Sequence, residues 1–120
     1  MRGVDGLQGR ELDAAVQREA MDSVVGWILL PDGTRNPVFV RAAAGRADRL
    51  GEVQPRWVAC YSTDPAAASA IDRRMEILGL TDLYERTLRG TARGPDDKCR
   101  AGLIAVRAAR LTRRLKVSAA

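Results

Sequence analysis

The chain contains no histidine, and that absence removes more chemistry than any other feature of its composition. Without an imidazole, neither a Ser-His-Asp nor a Cys-His relay can be assembled. The two cysteines, Cys60 and Cys99, are far apart in ordinary apolar contexts. They are too few for the usual zinc spacings and read as free buried thiols in a reducing cytoplasm rather than a disulfide. Aromatics make up only 4% of the residues. There is no G-x-x-x-x-G-K-S/T phosphate loop and no G-x-G-x-x-G following a strand. No apolar run approaches about 18 residues, so no membrane span is expected. The opening "MRGVDGLQGRELD" lacks the apolar core of a secretory signal. No cofactor is expected. Adjacent Asp96 and Asp97 read as a helix start, since neighbouring side chains on a helix diverge too far to share a Mg²⁺.

What is present belongs to a globular domain. An apolar fraction of 46% and a charged fraction of 29% over 120 residues fit one domain with a modest core. Residues 1–8 and 116–120 are expected to be flexible ends. The net charge of +5 is uneven. Residues 1–64 hold eight Arg against nine acids, whereas residues 65–120 hold twelve Arg and Lys against six. From Lys98 onward there are seven basic residues and no acid. An Arg-rich, Ala-rich composition also suits a GC-rich coding genome, which leaves a solvated basic face open as a reading.

Along the chain, "GRELDAAVQREAM" predicts a first helix, with Leu12, Val16 and Ala20 as its apolar stripe and Arg10, Asp13, Gln17 and Arg18 on a wet face. "GWILL" and "PVFVR", separated by the turn "PDGTRNP", predict a hairpin. "AAAGRADRLGEVQP", residues 42–55, reads as a surface connection with one helical turn. "RWVACY" alternates two largely apolar faces and predicts an interior strand covered on both sides. "DLYERTLRGTAR" predicts a further strand. The reading of the residues is therefore an α+β domain with a small, mostly antiparallel sheet.

The most organised stretch is "YSTDPAAASAIDRRMEILGL". Asp64 before Pro65 is a helix-start signal, because a carboxylate accepts free backbone N–H groups and proline suits the first helical position. Ala67, Ile71, Met75 and Leu78 make one apolar face, and Gly79 stops the helix. Capping accounts for Asp64 completely. A carboxylate mechanism would need Asp64 and Glu85 to converge in a pocket, and an enzyme is not expected. In the last helix, begun by Pro95, the cleanest apolar stripe is Ile104, Ala108, Leu111 and Leu115. Arg100, Arg107 and Arg114 recur seven apart on a neighbouring face, a spacing that suits nucleic-acid phosphates. Arg89 and Arg93, ahead of the helix start at Pro95, form a second candidate anion pocket.

Three segments together resemble the phage ABA-sandwich domain family of bacteriophage and prophage proteins. They are "RELDAAVQREAM" with the Gly26-Trp27 pair, "YSTDPAAASAIDRRMEILG", and "PDDKCRAGLIAVRA". The resemblance implies a sheet packed between helices on both faces, an α-β-α sandwich. It also implies a phage origin and action in the cytoplasm of a bacterial host, and it carries no reaction. The leading expectation is a non-catalytic binding protein acting on a host component. It would serve counter-defence by binding a host protein or sequestering an anionic nucleotide signal, with Arg89, Arg93, Arg107 and Arg110 as ligand contacts. The alternatives are a nucleic-acid-binding accessory protein using Arg100, Arg107 and Arg114, and a homo-oligomeric structural module.

Overall fold

The computed structural model describes residues 3–40 and 56–119, with side chains through Leu115. Among these residues four α-helices accompany a two-stranded antiparallel sheet, an α+β fold. The expectation for residues 42–55 lies outside the described residues. No described helix is long and apolar enough to cross a membrane.

After a single 3-10 turn at Val4–Gly6, helix α1 runs Gly9–Ala15 and widens into a π-helical stretch at Val16–Ala20. Leu12, Ala15, Val16 and Ala20 are buried, as their spacing predicts. Asp13 and Gln17 correct the wet-face expectation: both are buried, Asp13 with 1% of its surface exposed. Periodicity misses them because their burial depends on partners from the far side of the 61–64 junction, described below.

Strands β1 (Val25–Leu29) and β2 (Arg35–Phe39) form the expected hairpin, with Trp27 opposite Pro37. The turn is closed by Leu30 N–H donating to the Thr34 carbonyl at 2.7 Å, with Gly33 at φ 87°. Asp32 accepts both the N–H and the hydroxyl of Thr34, which holds its carboxyl below the usual range. "RWVACY" is not an interior strand. It contributes one bridge, Trp57 to Val38, with Trp57 42% exposed. Pro37 explains the short ladder. Val58 N–H donates to the Pro37 carbonyl at 3.0 Å, but proline has no N–H to return to Val58. The Arg10 guanidinium supplies the missing donor, reaching the Val58 carbonyl at 2.6 Å.

Helix α2 (Pro65–Leu78) starts and stops as its sequence dictates. Asp64 accepts the Ala66 N–H at 3.0 Å. At the other end Gly79 adopts φ 72°, its N–H bonding the Glu76 carbonyl while Leu80 N–H bonds that of Met75, the paired closure of a left-handed glycine stop. Ile71 and Met75 are buried, whereas Leu78 lies at the surface.

Residues 81–88, expected as a strand, form helix α3 (Thr81–Leu88). The alternating reading mixed polar and apolar residues on both faces. At helical spacing Tyr84 and Leu88 fall on one buried side, flanked by half-buried Leu83 and Thr87, and that pattern prevails.

Helix α4 (Pro95–Ala119) is 25 residues, about 37 Å, long. Its orientation reverses the expectation. Ile104, Leu111 and Leu115 are 39%, 58% and 63% exposed, while Cys99, Ala101, Leu103, Ala105 and Val106 are buried. The cause is close approach. A Cβ on Gly102 would sit 2.9 Å from Ile71 Cγ2. Small residues, weak in hydropathy, thus mark the face that packs on α2. The cysteines divide: Cys99 is buried and Cys60 exposed, and both are free thiols.

Candidate functional site

Of the four polar residues at the start of α2, Tyr61 and Ser62 form a joint with α1. Tyr61 donates its hydroxyl to Gln17 Oε1 at 2.5 Å, and Ser62 N–H donates to Asp13 Oδ1 at 2.7 Å. Arg10 pairs with Asp13 Oδ2 at 2.8 Å and reaches Asn36 Oδ1 at 2.7 Å. Burial raises the Tyr61 hydroxyl pKa, with the Asp13 charge assisting. These groups tie α1, the hairpin and the entry to α2 together. Asp64 is engaged with backbone and Glu85 with Arg93, at 2.5 Å.

The candidate arginines fall in separate places. Arg89 is exposed at the end of α3, with no charged partner among the described residues. Arg93, at φ 58°, pairs with Glu85, which raises its pKa further. Arg107 and Arg110 do converge, on buried Glu19. Arg107 grips the carboxylate through Nε at 2.8 Å and Nη2 at 2.9 Å, and Arg110 donates to the Glu19 carbonyl at 2.8 Å. In the seven-spaced set, Arg100 is drawn to the Val4 and Leu7 carbonyls at 2.8 and 3.0 Å and to Asp96 at 2.7 Å. Arg114 is exposed. Of that set, two guanidiniums hold the fold together and one faces solvent.

Asp97 Oδ2 accepts the Gly94 N–H at 3.2 Å, so it closes the start of α4 as its position predicts. Asp72 joins three helices, accepting the Tyr84 hydroxyl at 2.6 Å and Lys98 Nζ at 2.8 Å. Burial first, and this bond second, push the Tyr84 hydroxyl far above its ordinary value. Burial likewise pushes the Cys99 thiol up to about 12, which leaves it a protonated core side chain rather than a nucleophile.

A site the sequence did not announce lies along α4 beyond Val106. Here the buried face of the helix runs past the end of α2 into an open groove of about 870 Å³. Ala20, Leu78, Leu80, Leu83, Val106 and Ala109 supply apolar surface, and Arg74, Arg110 and Arg113 supply positive charge. Asp22 and Glu19 also line it, Glu19 being neutralised by Arg107 and Arg110. Arg74 is held by a 2.8 Å bond from its Nε to the Ala20 carbonyl, and Arg113 is exposed with no charged partner among the described residues. Sequence reading missed Arg74 and Arg113. The available signal was Cys99, Gly102, Val106, Ala109 and Arg113 at three- and four-residue steps, a packing face that ends in a charge.

Chemically, the groove offers apolar contact under guanidinium groups, those of Arg74 and Arg110 held by backbone carbonyls, the equipment for recognising an acidic ligand with an apolar side. Compared with protein-family models, curated proteins and solved structures, the chain finds no match in any of the three.

Proposed function

We propose that the protein is a non-catalytic binding protein, encoded by a phage or prophage, that acts on a host component in the bacterial cytoplasm. Its ligand is an acidic, part-apolar segment of a host protein, and such capture would serve counter-defence. The observation that carries this reading is the groove: Arg74, Arg110 and Arg113 stand around an apolar floor where α4 outruns α2. The polar residues with the best claim to chemistry, Tyr61, Ser62 and Asp64, are occupied by Gln17, Asp13 and the Ala66 N–H, which favours binding over turnover. A nucleotide is the weaker occupant because, among the described residues, no aromatic side chain lines the groove. The same reading keeps the sandwich architecture implied by the family resemblance.

Fluorescence anisotropy tests the proposal. An acidic amphipathic helical peptide should bind the wild-type protein, and its lysine-substituted counterpart should not. Arg113→Glu together with Arg74→Glu should weaken the acidic peptide at least about tenfold, the scale of one lost charged contact of about 1.4 kcal/mol. Equal binding of both peptides, or nucleotide or oligonucleotide binding that needs these arginines, overturns it.

A further inference from the structure

Two motifs of α4 that the groove does not absorb belong to one pattern. Ile104, Ala108, Leu111 and Leu115 are spaced four, three and four residues apart, the d-a-d-a spacing of a helix that packs on another helix. In the same heptad Arg100, Arg107 and Arg114 all fall at the g position, which borders that seam. The fold leaves the seam outside. Ile104, Leu111 and Leu115 are exposed and Ala108 is half-buried. The seam is also separate from the groove. Val106 and Arg113, which line the groove, stand two positions beyond Ile104 and Leu111, about 200° around the helix axis.

A single exposed leucine needs no explanation. A row of apolar residues at heptad spacing over about three turns is a different matter, because that spacing keeps one narrow line facing a neighbouring helix. We infer that the seam is a second interaction surface, which pairs with an amphipathic helix of a partner protein. That helix carries apolar residues at heptad spacing and acids at the positions that flank them.

Charge selects this occupant. Arg100 is committed to Asp96 and to backbone carbonyls, and Arg107 to Glu19. Arg114 is exposed, with no charged partner among the described residues. A carboxylate flanking the partner's seam would meet it, as charges bordering such seams do when they choose partners. A second copy of α4 cannot supply that carboxylate, because from Lys98 onward the chain has seven basic residues and no acid. Two copies paired antiparallel would bring their arginine borders together, and two paired parallel would set Arg107 against Thr112. An anionic bilayer fits less well. The seam is narrow, and residues 85–120 contain no Trp, Tyr or Phe to seat in a membrane interface.

The probe is a three-heptad peptide with leucine at a and d and glutamate at e and g, whose like charges keep it from pairing with itself. Fluorescence anisotropy with the full chain should detect its binding below about 1 mM, and a lysine-flanked counterpart should bind at least about tenfold more weakly. Leu111→Gln with Leu115→Gln, at positions already 58% and 63% exposed, should weaken the glutamate peptide at least about tenfold. Far-UV circular dichroism should stay unchanged. Arg114→Glu should reverse the preference between the two peptides. Leu78→Gln, which alters only the groove, should leave binding intact. No binding up to about 1 mM, equal affinity for both peptides, or binding that survives the two seam changes overturns the inference. A loss caused by Leu78→Gln and not by the seam changes also overturns it, while leaving the groove as the acidic ligand's site. So does self-association, or attachment to phosphatidylserine vesicles, that the seam changes abolish.

Discussion

The joint around residues 61–64 and the groove beside α4 both contain arginine and carboxylate groups, yet they differ in how those groups are engaged. At the joint, Arg10 meets Asp13, Asn36 and the Val58 carbonyl, while Asp13 also holds Ser62 N–H. Among the described residues, no buried side-chain nitrogen or oxygen there lacks a partner. At the groove, Arg107 and Arg110 are committed to Glu19, but Arg113 projects from a helix that has outrun its neighbours. The difference teaches that charge in this protein is not itself a sign of function. Half-buried Arg10, Arg100 and Arg110 hold backbone carbonyls, whereas Arg113, exposed beside an apolar surface with no charged partner among the described residues, is available for another molecule.

The comparison breaks first at Asp13. Replacing it by alanine strands Ser62 N–H and removes the charge partner of Arg10. A loss of about 3–5 kcal/mol is expected, the range for breaking a buried pair, and urea unfolding measures it. A change below about 1 kcal/mol would mean that the joint is not structural.

The second effect is alkaline. Cys99 and Tyr84 hold their protons in the folded state more tightly than the ordinary values of 9.0 and 10.0. The unfolded chain releases those protons first as pH rises, so this contribution is complete below about pH 9 and declines above it. The urea midpoint should fall from about pH 9 upward, and Cys99→Ala should delay the onset to the tyrosine range near 10. A midpoint that stays level through about pH 11 contradicts the burial of both groups.

The smallest effect belongs to the groove. Arg113→Ala should change stability by less than about 0.5 kcal/mol, as for an exposed side chain without a partner. The same change should weaken the acidic peptide. If it destabilises the fold instead, Arg113 belongs with the structural arginines and the contrast between the two regions disappears.

Much of the fold was legible along the chain wherever the signal was local. The start and stop of α2, the hairpin turn and the start of α4 each depend on residues within a few positions of one another. Asp64, Gly33, Gly79 and Asp97 show it directly. Most of the errors share one cause. Whether Asp13 and Gln17 are wet or buried depends on residues more than forty positions away, Ser62 and Tyr61. Which side of α4 faces inward was decided by Gly102 fitting under Ile71, a close approach that hydropathy does not encode. For α3 the helical period was present, and the alternating reading overlooked it. Arg74 and Arg113 escaped notice because they come together only where two helices of unequal length end.

The sequence alone determined the local grammar of this protein: caps, stops, the tight turn, and the absence of any imidazole chemistry. These follow from the conformational and bonding limits of individual residues. The tertiary structure alone decided which arginines are structural and which are free, which face of α4 is buried, and where an apolar groove opens. Those outcomes depend on distances between segments far apart in the chain, and close packing sets them through shape and available partners rather than through composition.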